Sequence, residues 1–155
     1  ITEAVSERKP LHLVPTAPNF PSVDSILYDP DDPGAILTCI QVTMNPIHPI
    51  VVKGLQNIQR WFNSKSMLSD LCPRTTSQWR FLFVVPSDMA STFNLQELKG
   101  DTATRIWARK VDQWVLGLKE QTIFRRRSTS GVRHTITEQQ GEQQVWCRIS
   151  VFEHC

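Results

Sequence analysis

"AILTCIQVTMNPIHPIVVKGLQNIQRWFN", residues 35–63, opens as an apolar strand and closes as an amphipathic helix. Within its first nine residues only Thr38, Gln41 and Thr43 are polar, the signature of a covered strand. Side chains two apart on a strand share a face, so Gln41 and Thr43 are neighbours. Beyond "MNPIHP", Pro49 suits the first turn of a helix, where its missing N–H costs nothing. Val51, Leu55, Ile58 and Phe62 then recur at helical spacing as a buried stripe, with Lys53, Asn57 and Arg60 on another face. Strand and helix thus meet at a junction that holds an amide, a hydroxyl and the imidazole of His48.

Upstream, "LHLVP" (residues 11–15) is a short strand stopped by proline, and "TAPNFP" is a connector whose prolines forbid a helix. "SVDSILYD" (residues 22–29) alternates, with Val23, Ser25 and Leu27 on one side and Asp24, Ile26 and Tyr28 on the other. "DPDDPG" is a strong turn, so this strand and residues 35–43 form a hairpin that brings Asp24 beside Gln41 and Thr43. Downstream, "QWRFLFVVP" (residues 78–86) is apolar throughout, as a central strand covered on both faces would be. "RIWARKVDQWVLGL" (residues 105–118) places Trp107, Val111, Trp114, Val115 and Leu118 at helical spacing and predicts a second amphipathic helix. In the polar tail from Lys119, "VRHTIT" and "VWCRISVF" are candidates to pair as a hairpin across "EQQGEQQ". The order of elements gives one domain over residues 1–155, an α/β or α+β sandwich of helices against a mixed sheet. Its core spans about 11–118, with 119–155 as an extension. The five tryptophans read as core rather than as stacking platforms.

Composition narrows the classes. The chain has 155 residues, 40% of them hydrophobic, and a formal net charge of +2, so no global field argues for nucleic acid. No run is long enough to span a membrane, and the N-terminus is not a secretion signal. The chain opens without methionine and is expected to be cut from something longer. Cys39, Cys72, Cys147 and Cys155 show no metal-type spacing, and Cys39 reads as a buried thiol. Arg125, Arg126 and Arg127 form a basic run, either a solvated loop or a nucleic-acid contact or import signal.

Carboxylate, amide, hydroxyl, imidazole and amine (Asp24, Gln41, Thr43, His48 and Lys53) are expected to converge on one end of the sheet. Hard divalent cations take oxygen ligands of this kind, and magnesium binds one or two carboxylates plus substrate phosphate. His48 stands where the unpaired N–H groups of a helix start favour an anion.

The combination "NFPSVDSILYD", "LTCIQVTMNPIHPI", a helix and "WRFLFVVP" resembles the C-terminal nuclease-like domain of the Crinkler and retrotransposon-hot-spot effectors, members of the PD-(D/E)XK restriction-endonuclease-like superfamily. The resemblance covers about Leu11 to Leu118, with "VDQWVLGL" similar to the family's closing helix. It implies an α/β fold, a restriction-endonuclease-like mixed sheet flanked by helices, and a Mg2+- or Mn2+-dependent endonuclease. It also implies a secreted effector acting in a host nucleus. Asp24 matches the superfamily's aspartate, Gln41 its second carboxylate and Thr43 its lysine. Effector-type members are similar in carrying glutamine and threonine with a nearby histidine, and Lys53 is the available substitute for a lysine moved onto the helix. Glu3 and Glu7 stand where the superfamily carries a further acid. By this resemblance Asp24 and Gln41 hold the metal. His48 or Lys53 orients water or steadies the developing oxyanion. Lys53, Arg60 and Arg125 to Arg127 contact nucleic acid, DNA first and RNA second. Plainer readings remain beside it: Asp24 as a turn cap, Gln41 and Thr43 as strand-end polar groups, His48 as a loop histidine. So do two other functions, a binding module for nucleic acid or a protein without turnover, and a dimerising scaffold.

Overall fold

The computed structural model describes residues 1–17, 20–33, 37–100, 103–119 and 146–148. Three strands open the sheet: β1 (Leu11–Leu13), β2 (Ser25–Tyr28) and β3 (Leu37–Val42), after a short helix α1 (Thr2–Ser6). β1 pairs antiparallel with β2, and β2 pairs antiparallel with β3, with Ser25 opposite Ile40. The hairpin expected from "DPDDPG" is therefore present. Arg80 binds Asp32 of that turn through its two terminal guanidinium nitrogens, fastening the turn across the sheet.

β3 gives way to a two-residue strand β4 (Ile50–Val51) and then to helix α2 (Val52–Asn63). The helix starts later than Pro49 predicts, because Ile50 and Val51 pair in parallel with β6 (Leu98–Lys99). Val51 is the N-cap and is partly exposed, so the buried stripe runs through Val52, Gly54, Leu55, Ile58 and Phe62 instead. Lys53 and Arg60 are exposed, as expected of the opposite face. A 3-10 segment (Ser66–Leu71) leads to β5 (Trp79–Pro86), which lies in the middle of the sheet between β3 and β7 (Val111–Leu118). Both of those pairings are parallel.

The second helix expected over residues 105–118 is not formed. Only one turn, α4 (Thr104–Trp107), is helical, and the rest is β7. Val111, Gln113 and Val115 are buried on one face, while Asp112 and Trp114 alternate onto the other. Trp107, Val111, Trp114, Val115 and Leu118 fit helical spacing by coincidence. The β-branched and aromatic residues favour the strand, and Gly117 lets the short helix α3 (Ser87–Ala90) approach so closely that a Cβ there would stand 2.8 Å from that of Ala90.

β8 (Trp146–Arg148), drawn from "VWCRISVF", pairs antiparallel with β7. "VRHTIT" and the Arg125–Arg127 run lie outside the described residues. Among the described residues six strands make one mixed sheet, in the order β1-β2-β3-β5-β7-β8, so the chain is α/β.

The core fills the space between α2 and one face of this sheet. Leu37 and Cys39 of β3, Phe81 and Phe83 of β5 and Val115 of β7 meet Leu55, Ile58 and Phe62. Trp79 lies between Phe62 and Trp107, with ring centroids 6.0 and 5.7 Å away, and donates its indole N–H to the Leu71 carbonyl at 2.6 Å. Of the tryptophans expected in the core, Trp79 and Trp107 are buried, Trp114 is half-buried with the Arg80 guanidinium 4.9 Å from its ring centroid, and Trp61 is exposed. Burial of each large core side chain contributes roughly 2–3 kcal/mol.

Candidate functional site

Four of the five predicted residues lie where β3 ends, in two pairs, Asp24 with Gln41 and Thr43 with His48. Gln41 and Thr43 follow Leu37 and Cys39 on the core face of β3, and both are buried at 7% exposure. Asp24 precedes β2, its N–H donating to the Ile40 carbonyl, and continues the Ile26/Tyr28 side onto that same face. The Gln41 amide nitrogen donates to Asp24 Oδ2 at 2.8 Å, and the Val42 backbone N–H donates to the same oxygen at 2.7 Å. Gln41 Nε2 also donates to the Val42 carbonyl at 3.2 Å. Two acceptors face this nitrogen, which fixes the amide orientation. One oxygen of an exposed carboxylate is thus anchored twice, and the other accepts no hydrogen bond among the described residues.

Thr43 and His48 form the second pair. The Thr43 N–H donates to the Val84 carbonyl, extending the β3–β5 ladder one residue past the strand. Its hydroxyl accepts the Asn45 N–H at 3.0 Å and lies 3.4 Å from His48 Nδ1, a contact whose donor depends on the ring tautomer. The Asn45 side chain accepts the Ile47 N–H at 3.0 Å, a local turn that closes the "MNPIH" loop. Lys53 stands apart: its exposed side chain makes no hydrogen bond or ion pair among the described residues. Glu7 is paired with Lys9 at 2.7 Å.

Three contributors were not foreseen. Ser22 takes a positive φ of 61°, a conformation uncommon outside glycine, and its hydroxyl accepts the Val51 N–H at the start of α2. The segment that carries Asp24 is thereby tied to the helix that carries Lys53. Gln96 and Gln113 are both buried; Gln96 bonds the loop that carries His48, and Gln113 bonds Gln96. Ser22 leaves no sequence signal. Gln113 does: an amide in the middle of an apolar strand needs a buried partner, but only once the segment is read as a strand.

For a divalent cation the donor set is small and hard. Among the described residues no three carboxylate, imidazole or thiol groups converge, and of the five predicted residues Asp24 alone carries a carboxylate. The unbonded Asp24 oxygen suits a cation that keeps most of its waters, as magnesium does. Gln41 meets Asp24 through its nitrogen, and its carbonyl oxygen accepts no hydrogen bond among the described residues. A cavity of about 220 Å3, lined by Pro15, Ala17, Phe20, Val23 and Asp24, opens beside the carboxylate. That is far more than the roughly 15 Å3 one water needs. Compared with known proteins, the chain matches no family model, and no curated protein or solved structure matches it significantly.

Proposed function

We propose that the chain is a divalent-metal-dependent phosphodiesterase of restriction-endonuclease-like architecture, acting on DNA. One observation carries the reading: a carboxylate anchored through one oxygen by Gln41 and the Val42 N–H, its second oxygen accepting no hydrogen bond among the described residues, on a residue that lines a cavity. The resemblance of "SVDSIL", "IQVT" and "HPI" to the Crinkler-type nuclease domains supports it, as does the α/β sheet with its antiparallel hairpin leading into parallel strands.

Mg2+ or Mn2+ bound at Asp24 would supply Lewis-acid polarisation of a phosphate oxygen and of the attacking water. The protein's own residues set the stage for it. Gln41 and the Val42 N–H keep the Asp24 carboxylate in one orientation, which lowers the entropy lost when a ligand arrives. Thr43 steers the His48 ring through Nδ1, which leaves Nε2 to take a proton from water or to donate one to a phosphate oxygen. Lys53 and Arg60, exposed along α2, supply cations for the neighbouring backbone phosphates.

The test is nicking of supercoiled plasmid, with single-stranded DNA and RNA alongside. Wild type is expected to cleave DNA with Mg2+ or Mn2+ and to stop when the metal is chelated. Asp24→Asn, which keeps an acceptor for Val42 but removes the charge, should lower the rate at least about 100-fold. Metal-independent cleavage, or full activity in Asp24→Asn, would refute the assignment. A second reading, a nucleic-acid-binding module without turnover, is favoured by the lack of any cluster of three carboxylate, imidazole or thiol groups among the described residues. It predicts steeply salt-dependent binding with no cleavage under any metal.

A further inference from the structure

Behind the "MNPIH" loop lie two glutamines that touch none of the groups assigned so far except His48 and its loop. Gln113, on the core face of β7, is 4% exposed, and Gln96, just before β6, is 5% exposed. They lock together in both directions. The Gln96 N–H donates to Gln113 Oε1 at 2.9 Å, and Gln113 Nε2 donates to the Gln96 carbonyl at 2.9 Å. With its backbone clamped, Gln96 turns its own amide toward the loop. Its Oε1 accepts the His48 N–H at 2.6 Å, and its Nε2 donates to the carbonyls of Pro46 at 3.0 Å and Asn94 at 2.8 Å.

Buried carboxamides are costly unless satisfied, and satisfied ones favour one arrangement over all others. Here one buried amide, held by the other, supplies two bonds to the inner side of a short irregular loop. The loop's outer side is open: Met44 is 76% and Ile47 is 72% exposed, so apolar burial does not hold it. The bonds from Gln96 and the Thr43 and Asn45 turn do.

We infer that Gln113 and Gln96 are positioning residues that fix the backbone of His48 and so the place of its imidazole at the candidate site, with Gln113 acting through Gln96. The chemical purpose of that placement rests on the phosphodiesterase reading, but the bracket itself does not. Nothing in it requires metal or substrate.

The experiment is NMR on the isotope-labelled chain, with cleavage measured in parallel. In wild type, the His48 amide and the side-chain amide protons of Gln96 and Gln113 should exchange slowly with solvent. Exchange of all three at free-peptide rates would overturn the inference without any variant. In Gln96→Met, the His48 amide should lose at least about ten-fold of its protection. The amides of β5 should keep theirs and the His48 ring signals should move. Gln113→Glu, which can still accept from the Gln96 N–H but cannot donate to its carbonyl, should give a smaller change of the same kind. Unchanged His48 exchange and ring signals in a folded Gln96→Met would overturn it too. If wild type cleaves DNA, Gln96→Met should lower kcat by about 10- to 100-fold with KM and metal affinity within two-fold, as expected of a displaced group. A normal kcat with altered His48 signals would refute the catalytic purpose. Slow His48 exchange in a wild type that never cleaves supports the bracket and removes the phosphodiesterase reading instead.

Discussion

At Gly54, α2 passes close to the segment that carries Asp24, and replacing this glycine gives a prediction whose sign is informative. On an open helix face, Gly→Ala stabilises by about 1 kcal/mol, because glycine loses more backbone freedom on folding. At Gly54 an added Cβ would stand 2.1 Å from the Pro21 carbonyl oxygen and 3.0 Å from its carbon. Both are backbone atoms, so no side chain can rotate away. Restoring even the tightest normal contact requires the helix and residues 21–22 to separate by about 1 Å. The first bond to stretch would be the one from the Val51 N–H to the Ser22 hydroxyl. Overpacking of this kind costs about 1–3 kcal/mol. Loss of the Ser22 bond adds about 1 kcal/mol. Against the gain in propensity, Gly54→Ala should be destabilising by about 1–3 kcal/mol. With a urea slope of about 2 kcal/mol/M for a chain of this size, the unfolding midpoint should fall by about 0.5–1.5 M at unchanged slope. An increase in the midpoint would mean that propensity wins, and that α2 does not lie on Pro21 as described.

Other outcomes follow from single side chains. Burial pushes the Cys39 thiol from 9.0 up to about 12, so the folded protein holds that proton more tightly than the unfolded chain. This contribution is complete below pH 9 and is lost as pH rises toward 12. The stability of wild type relative to Cys39→Ala, measured by urea titration, should therefore shrink above pH 9 and stay constant below it. Cys39 should also resist thiol reagents at pH 8 until the protein is unfolded, which mass spectrometry of labelled peptides would show. Trp79→Phe removes the indole donor from the buried Leu71 carbonyl and leaves a void between Phe62 and Trp107. It should cost about 2–4 kcal/mol, read as a lower thermal midpoint.

Where sequence and structure agree, short-range physics decides the outcome. The β2–β3 hairpin follows from "DPDDPG" and the alternation before it, and it is enough to bring Asp24 to Gln41. β5 is legible because a run such as "WRFLFVV" has no polar face to offer. The error at β7 has a physical origin. Trp107, Val111, Trp114 and Val115 satisfy a helical period and a strand period about equally, and only the parallel slot beside β5 distinguishes them. Misreading that strand also hid Gln113, because its significance depends on lying on the core face. The start of α2 was shifted by a pairing between Ile50 and Leu98, residues with no local relation. The partner of Arg80 could not be read either, since its link to Asp32 spans two strands. The amide direction at Gln41 belongs to the same class: the side chain was legible as polar, but which end meets Asp24 depends on the Val42 carbonyl.

The locking of His48 to Gln96 and of Gln96 to Gln113 has a consequence for how the polypeptide matures. During synthesis from the N-terminus, Asp24, Gln41 and Thr43 leave the ribosome long before Gln113, and their hairpin closes locally. The brace on the loop bearing His48 is not complete until β7 has emerged and docked beside β5, because Gln113 of that strand clamps Gln96. A nascent chain therefore carries His48 without the full Gln96–Gln113 brace until that strand has joined the sheet. Whatever this corner of the sheet does, its bracing is complete only once β7 has paired beside β5.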